Sequence, residues 1–87
     1  MITEVSKITG ISEEDILGKS RKQRISDARH LYFFVLRENG FSISDIARLS
    51  ERNHATVIWG INSFKNLLGS GNLSIKLWYS MSKKIKR

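Results

Sequence analysis

Six consecutive apolar residues, Leu31 through Leu36, lie inside a segment that reads as one long helix, capped by Ser26 and stopped at Asn39-Gly40. A helix turns once in about 3.6 residues, so six apolar residues in a row cover its whole circumference. Such a helix cannot rest on a surface, and other elements must enclose it from every side. The chain contains no Pro, the strongest helix breaker. These two features predict an all-α domain wrapped around a central helix. A length of 87 residues with 40 % apolar side chains supplies one small core and no more.

The surrounding segments fit that frame. Ile2, Val5 and Ile8 recur at spacings of three and predict a short helix ended by Gly10. Ser12, followed by Glu13, Glu14 and Asp15, reads as an N-cap with an acidic first turn, and Gly18 ends that helix. Ser42, with Asp45 three residues on, predicts a helix to Leu49 whose apolar stripe is Ile43, Ile46 and Leu49. After the turn Ser50-Glu51-Arg52, a further helix starts near Asn53. Val57, Ile61, Phe64 and Leu68 form its core face. Gly69-Ser70-Gly71 breaks the pattern. Leu73, Leu77, Met81 and Ile85 then line one side of a basic terminal helix ending Lys83-Lys84-Ile85-Lys86-Arg87 and are expected to pack over the core.

Charge narrows the function. The chain has 15 Lys and Arg against 8 Asp and Glu, a net charge of +7. Residues 1–18 carry a net −3 and residues 19–87 a net +10. A field of that size favours a phosphate-rich partner, expected to meet the basic part. There is no Cys, and with only two His, His30 and His54, a protein-only zinc site would need carboxylates to complete it; no metal is expected. Gly18-Lys19-Ser20 ends like a phosphate loop, but Glu13 stands where that motif needs Gly and a helix precedes it, so no nucleotide is expected. His54 has no carboxylate placed to orient it and no nucleophile at a recognisable spacing, so no enzyme and no cofactor are expected. No apolar run spans a bilayer and no secretory signal follows Met1, which points to the cytoplasm.

A short capped helix, a tight turn and a second helix with a polar first turn make a helix-turn-helix pattern. With Val57, Ile61, Phe64 and Leu68 inward, Arg52, Ala55, Trp59 and Asn66 face outward, flanked by Thr56 and Asn62. Arg pairs with guanine, Asn with adenine, and the methyls of Ala and Thr with thymine. An ordinary solvated helix start explains any one of these residues; it explains less well why Arg52, Asn53, His54 and Thr56 cluster there. The loop Lys19–Arg24 has no apolar anchor and reads either as a solvated charge run or as an arm to phosphates or a minor groove. For Trp59, packing beneath the terminal helix is the expected arrangement. A place on the DNA wall and self-association are the alternatives.

The residues Lys-Ser-Arg-Lys-Gln-Arg before Arg29-His30-Leu31, then Ile43-Ser44-Asp45-Ile46-Ala47, then Arg52-Asn53-His54-Ala55-Thr56-Val57 resemble the C-terminal DNA-binding domain of the bacterial replication initiator DnaA. The resemblance covers about residues 1–68, a helix-turn-helix domain, and leaves 69–87 as an appended basic amphipathic helix. It implies a Trp repressor-like helical fold that binds an A·T-rich DnaA box on double-stranded DNA as a monomer, within the bacterial nucleoid. It implies that Arg21 enters the minor groove, that Arg52, Asn53, His54, Ala55 and Thr56 begin the major-groove helix, and that Arg29, His30 and Arg37 face the backbone. Lys22 and Arg24 complete the candidate set. Asn53 replaces the family's Asp and Ala55 its first Thr, which puts the exact box in question.

There is no room for an ATPase domain, so the expected function is DNA-site recognition in replication initiation or its regulation, without ATP hydrolysis. Met1 as a true start would make the chain a free-standing module of a phage or mobile element, such as a transcription regulator; a fragment would be one part of an initiator. A rival reading gives the basic segment 72–87, with Trp78 and Tyr79, a membrane- or partner-binding role. RNA binding is disfavoured, because single-strand readers use aromatics on sheets or clefts and no strand is evident.

Overall fold

In the computed structural model, which describes residues 1–85, the central helix α3 (Gln23–Glu38) touches all five other helices. These are α1 (Ile2–Thr9), α2 (Glu13–Leu17), α4 (Ile43–Ser50), α5 (His54–Gly69) and α6 (Leu73–Ser82); no strand occurs among the described residues. All six residues from Leu31 to Leu36 are buried. Each such side chain contributes roughly 1.5–3 kcal/mol on leaving water.

Local chemistry sets most boundaries. The hydroxyls of Ser12 and Ser42 and the carboxamide oxygen of Asn53 each accept a hydrogen bond from the backbone N–H three residues on, capping α2, α4 and α5. Gly10, Gly40 and Gly71 take positive φ after α1, α3 and α5. The start of α3 departs from expectation. Lys22, not Ser26, is its N-cap residue, without a side-chain cap. Gln23 Nε2 donates to Asp27 Oδ1 at 2.8 Å, an i,i+4 pair that fastens the added turn. Arg24 therefore lies in helix rather than in the loop.

The α4 stripe turns inward at Ile43 and Ile46 and departs from expectation only at Leu49, whereas the α6 stripe faces the other way. In α4, Ile46, Ala47 and Ser50 are buried, and Leu49 is exposed. In α6, Ile75, Trp78 and Ser82 turn inward at spacings of three and four, while Leu73, Leu77 and Met81 point to solvent. Ile85 is half-buried against the core. The inward face of α6 carries the larger payload, because Trp78 alone buries more apolar surface than any of the three outward side chains. α6 packs on α1, α3 and α5, so it closes the same core that they form. Lys86 and Arg87, placed on this helix by the sequence pattern, lie outside the described residues.

The α4–α5 turn is a Schellman motif. Arg52 N–H donates to Ala47 O at 2.9 Å and Glu51 N–H to Arg48 O at 3.3 Å, with Glu51 at φ 55°. Val57, Ile61 and Phe64 then pack inward as their spacing predicts. α5 approaches α3 closely at Gly60. An added Cβ there would stand 2.8 Å from His30 Cδ2 and 2.9 Å from Phe33 Cδ2. Gly60→Ala, a gain of about 0.5–1 kcal/mol in an exposed helix, should instead lower stability by roughly 1–3 kcal/mol through overpacking. A urea melt of the variant checks this; a raised midpoint contradicts the close approach.

Candidate nucleic-acid interface

The chain between α2 and α3 and the first turns of α5 enclose a groove of about 700 Å³. Lys19, Ser20, Arg21 and Gln23 form one wall, Glu51, Arg52, Thr56 and Trp59 the other, and Arg29, His30 and Phe33 of α3 line it between them. A five-residue helix and a loop without an apolar side chain cannot fix that geometry alone. Two arginines do it.

Arg29 is buried, and all three of its guanidinium nitrogens donate to backbone oxygens: Nε to Ile16 O at 2.8 Å, Nη1 to Ser20 O at 3.0 Å and Nη2 to Asp15 O at 3.2 Å. Arg52 reaches the same segment from the helix-turn-helix side, donating to Gly18 O, to Leu17 O at 3.4 Å and to Ser50 O at 2.8 Å. The last carbonyls of α2 have no partner within the helix, and cations at a helix C-terminus are favoured by its dipole. Burial lowers the Arg29 pKa below the ordinary guanidinium value, and repulsion from Arg52 adds to the drop. The carbonyls hold both cations together.

Three of the candidate residues have partners within the fold. Arg29 gives its guanidinium to α2 and the basic loop. Arg52 is folded back on Gly18. The guanidinium carbon of Arg24 lies 4.9 Å from the Trp78 ring centroid. His30 sits half-buried beneath α5, its ring edge-on to Trp59 at 5.4 Å between centroids. Its Nδ1 is buried and has no hydrogen-bond partner among the described residues.

The remaining candidates stay available to a partner. Arg21 and Lys22 are exposed. Arg37 is exposed and donates once, to Phe41 O at 3.0 Å. At the start of α5, Asn53, His54, Ala55 and Thr56 are all exposed. His54 Nε2 hydrogen-bonds Ser44 Oγ at 2.9 Å, which sets its ring between α4 and α5. Asn53 commits one lone pair of its carboxamide oxygen to the helix cap, and Asn53 is exposed. Trp59 is 65 % exposed and lines the groove rather than lying under α6. Lys19 and Glu51 also line it; the sequence signalled Lys19 only as part of the Lys19–Arg24 loop, a charge run or an arm, and Glu51 only as a turn residue.

Among the described residues no group of three or more His, Cys, Asp or Glu could hold a metal ion, and no helix is long and apolar enough to cross a membrane. Comparison with known proteins agrees with the geometry. Residues 1–63 match the family model described as the bacterial dnaA protein helix-turn-helix. The chain is 38 % identical over 77 residues to the chromosomal replication initiator protein DnaA of Pseudothermotoga lettingae, covering 87 % of this chain and 17 % of that protein. It is 34 % identical over 77 residues to its namesake in Kosmotoga olearia, again 87 % of this chain and 17 % of the relative. The initiator of Leptospira biflexa is 33 % identical over 86 residues, 98 % of this chain and 20 % of that protein. The chain thus spans a fifth or less of these relatives' length, and the last alignment extends through α6.

Burial holds the His30 imidazole below its ordinary pKa of 6.5, opposed by the charge of Asp27 and assisted by that of Arg29. The unfolded chain then binds the proton more readily than the folded one. Stability contributed by neutral His30 is complete above about pH 6.5 and is lost as pH falls from there toward the depressed folded value. Melting temperatures measured from about pH 7.5 down to 5 should fall in the native chain and fall less in His30→Phe. An equal fall in both would place the titrating group elsewhere.

Proposed function

The chain belongs to the bacterial DnaA helix-turn-helix family, and from that premise we propose that it recognises a specific double-stranded DNA site of the DnaA-box type. It does so in replication initiation or its regulation and carries out no ATP hydrolysis of its own. The observation that carries this reading is the clamped groove. Arg29 and Arg52 hold the Lys19–Lys22 arm at a fixed distance from the first turn of α5. An arm in the minor groove and a helix in the adjacent major groove must straddle the sugar–phosphate ridge between them, and the groove is the seat for that ridge.

In this arrangement Arg21 enters the minor groove, where A·T-rich sequence concentrates negative potential. His54, Ala55 and Thr56 meet base edges in the major groove. Lys19, Lys22 and Arg37 face phosphates, and the exposed indole of Trp59 lies along the ridge. One chain completes the straddle, so it binds as a monomer, and the setting is the bacterial nucleoid. A regulator of a phage or mobile element competing for such sites would use the same face. The outward stripe Leu73, Leu77 and Met81 favours a second role in partner or membrane contact, on α6 and outside the groove.

The test is a duplex titration read through Trp59 emission, since Trp78 is buried and reports little. A site selected from a randomised duplex library should bind more tightly than its scrambled counterpart. With Lys19, Lys22 and Arg37 each neutralising one phosphate and Arg21 adding its charge in the minor groove, log K should fall against log salt with a slope of about −3 to −4. A slope near zero, or equal affinity for both duplexes, would sink the proposal.

A further inference from the structure

The basic groove holds one acid. Glu51 is the sole carboxylate among its lining residues, where Lys19, Arg21, Arg29 and Arg52 supply the positive charge. It is also the last acid of the chain, since no Asp or Glu follows it through Arg87. Among the described residues its carboxylate forms neither an ion pair nor a hydrogen bond, although three guanidiniums line the same groove. Arg29 and Arg52 give their donors to backbone carbonyls instead.

Backbone geometry makes the residue more unusual. Glu51 is the only non-glycine residue with positive φ among those described. A Cβ is disfavoured in that region, and Gly is the usual occupant of the position after a helix in this turn. Fold stability alone therefore favours Gly, and phosphate attraction alone favours a neutral or basic side chain. An unpaired acid here opposes both, and a strained residue in a binding groove points to a role in that groove.

We propose that Glu51 limits the sequence-independent share of DNA affinity. The inference rests on the DNA-binding reading above. A clamped groove lined by cations attracts any phosphate ridge, and such attraction supplies nearly all of non-specific binding. A genome offers vast numbers of competing sites, so unrestrained backbone affinity would hold the protein away from its own site. A carboxylate on the wall of the groove repels phosphate in every register. The base contacts of α5 then decide where the protein stays.

The experiment compares the native chain with Glu51→Gln and Glu51→Gly on the library-selected duplex and a scrambled duplex, over a range of salt. Glu51→Gln removes the charge and keeps the strained turn. It should tighten binding to both duplexes by about three- to tenfold near 0.1 M salt, with the gain fading as salt screens the groove. Glu51→Gly should show the same gain in affinity and, alone of the two, a markedly higher melting temperature. Weaker binding of Glu51→Gln to the selected duplex only would make Glu51 a base-reading acceptor and overturn the proposal. Unchanged affinity for both duplexes would overturn it too. If the native chain binds no duplex at all, the DNA-binding reading fails first; a native chain that binds normally beside an indifferent Glu51→Gln removes only the role given to Glu51.

Discussion

Two guanidiniums share the C-terminal end of a five-residue helix, and the rest of the interface depends on that contact. Arg29 comes from the central helix and Arg52 from the turn of the helix-turn-helix. The carbonyls between Asp15 and Ser20 accept from both. Hydrogen bonds to charged donors are worth more than neutral ones, and Arg offers a planar fork that Lys cannot reproduce. Without them the basic arm would be a solvated charge run, able to attract phosphate but unable to hold a register. With them, Lys19 and Arg21 stand across a defined gap from Thr56 and Trp59. The site has an inner layer of arginines that fix geometry and an outer layer of side chains left free to bind.

That inner layer can be rigid because α3 is enclosed. A helix apolar on all sides accepts packing from every direction, and α1, α2, α4, α5 and α6 each take a sector. Gly60 lets α5 come close enough to cover His30 and Phe33. α6 closes the core against α1, α3 and α5 through Ile75 and Trp78, and Arg24 lies on the Trp78 ring. The terminal helix therefore serves the interface indirectly, by holding the scaffold on which the arm and α5 are mounted.

The elements were legible in the sequence where their causes are local. Ser12, Ser42 and Asn53 cap their helices through bonds spanning three residues, and a short window suffices to see them. The Leu31–Leu36 run announced the centre of the fold for the same reason. Two helices carry apolar residues on more than one face, and there periodicity finds stripes without saying which one turns inward. Leu73, Leu77 and Met81 keep their spacing on the solvent side of α6, and Trp59 keeps its outward position yet meets His30 rather than α6. The site was legible as a set of cations but not as two layers. Nothing in the sequence shows that Arg29 and Arg52 have backbone carbonyls within reach, since those acceptors lie 9 to 14 residues away for one and as many as 35 for the other. Glu51 looked like any turn residue because its φ depends on the Schellman closure.

The central claim is that the arginine pair fixes the arm relative to α5. Spin labels on Ser20→Cys and Asn62→Cys, in a chain without native Cys, report that distance by pulsed electron resonance. The clamped groove predicts one narrow distribution in the otherwise native chain and a broad one when Arg29→Ala and Arg52→Ala are added, with the helical content of the scaffold retained. A distribution that stays narrow without both guanidiniums would show that some other contact holds the arm, and would contradict the account.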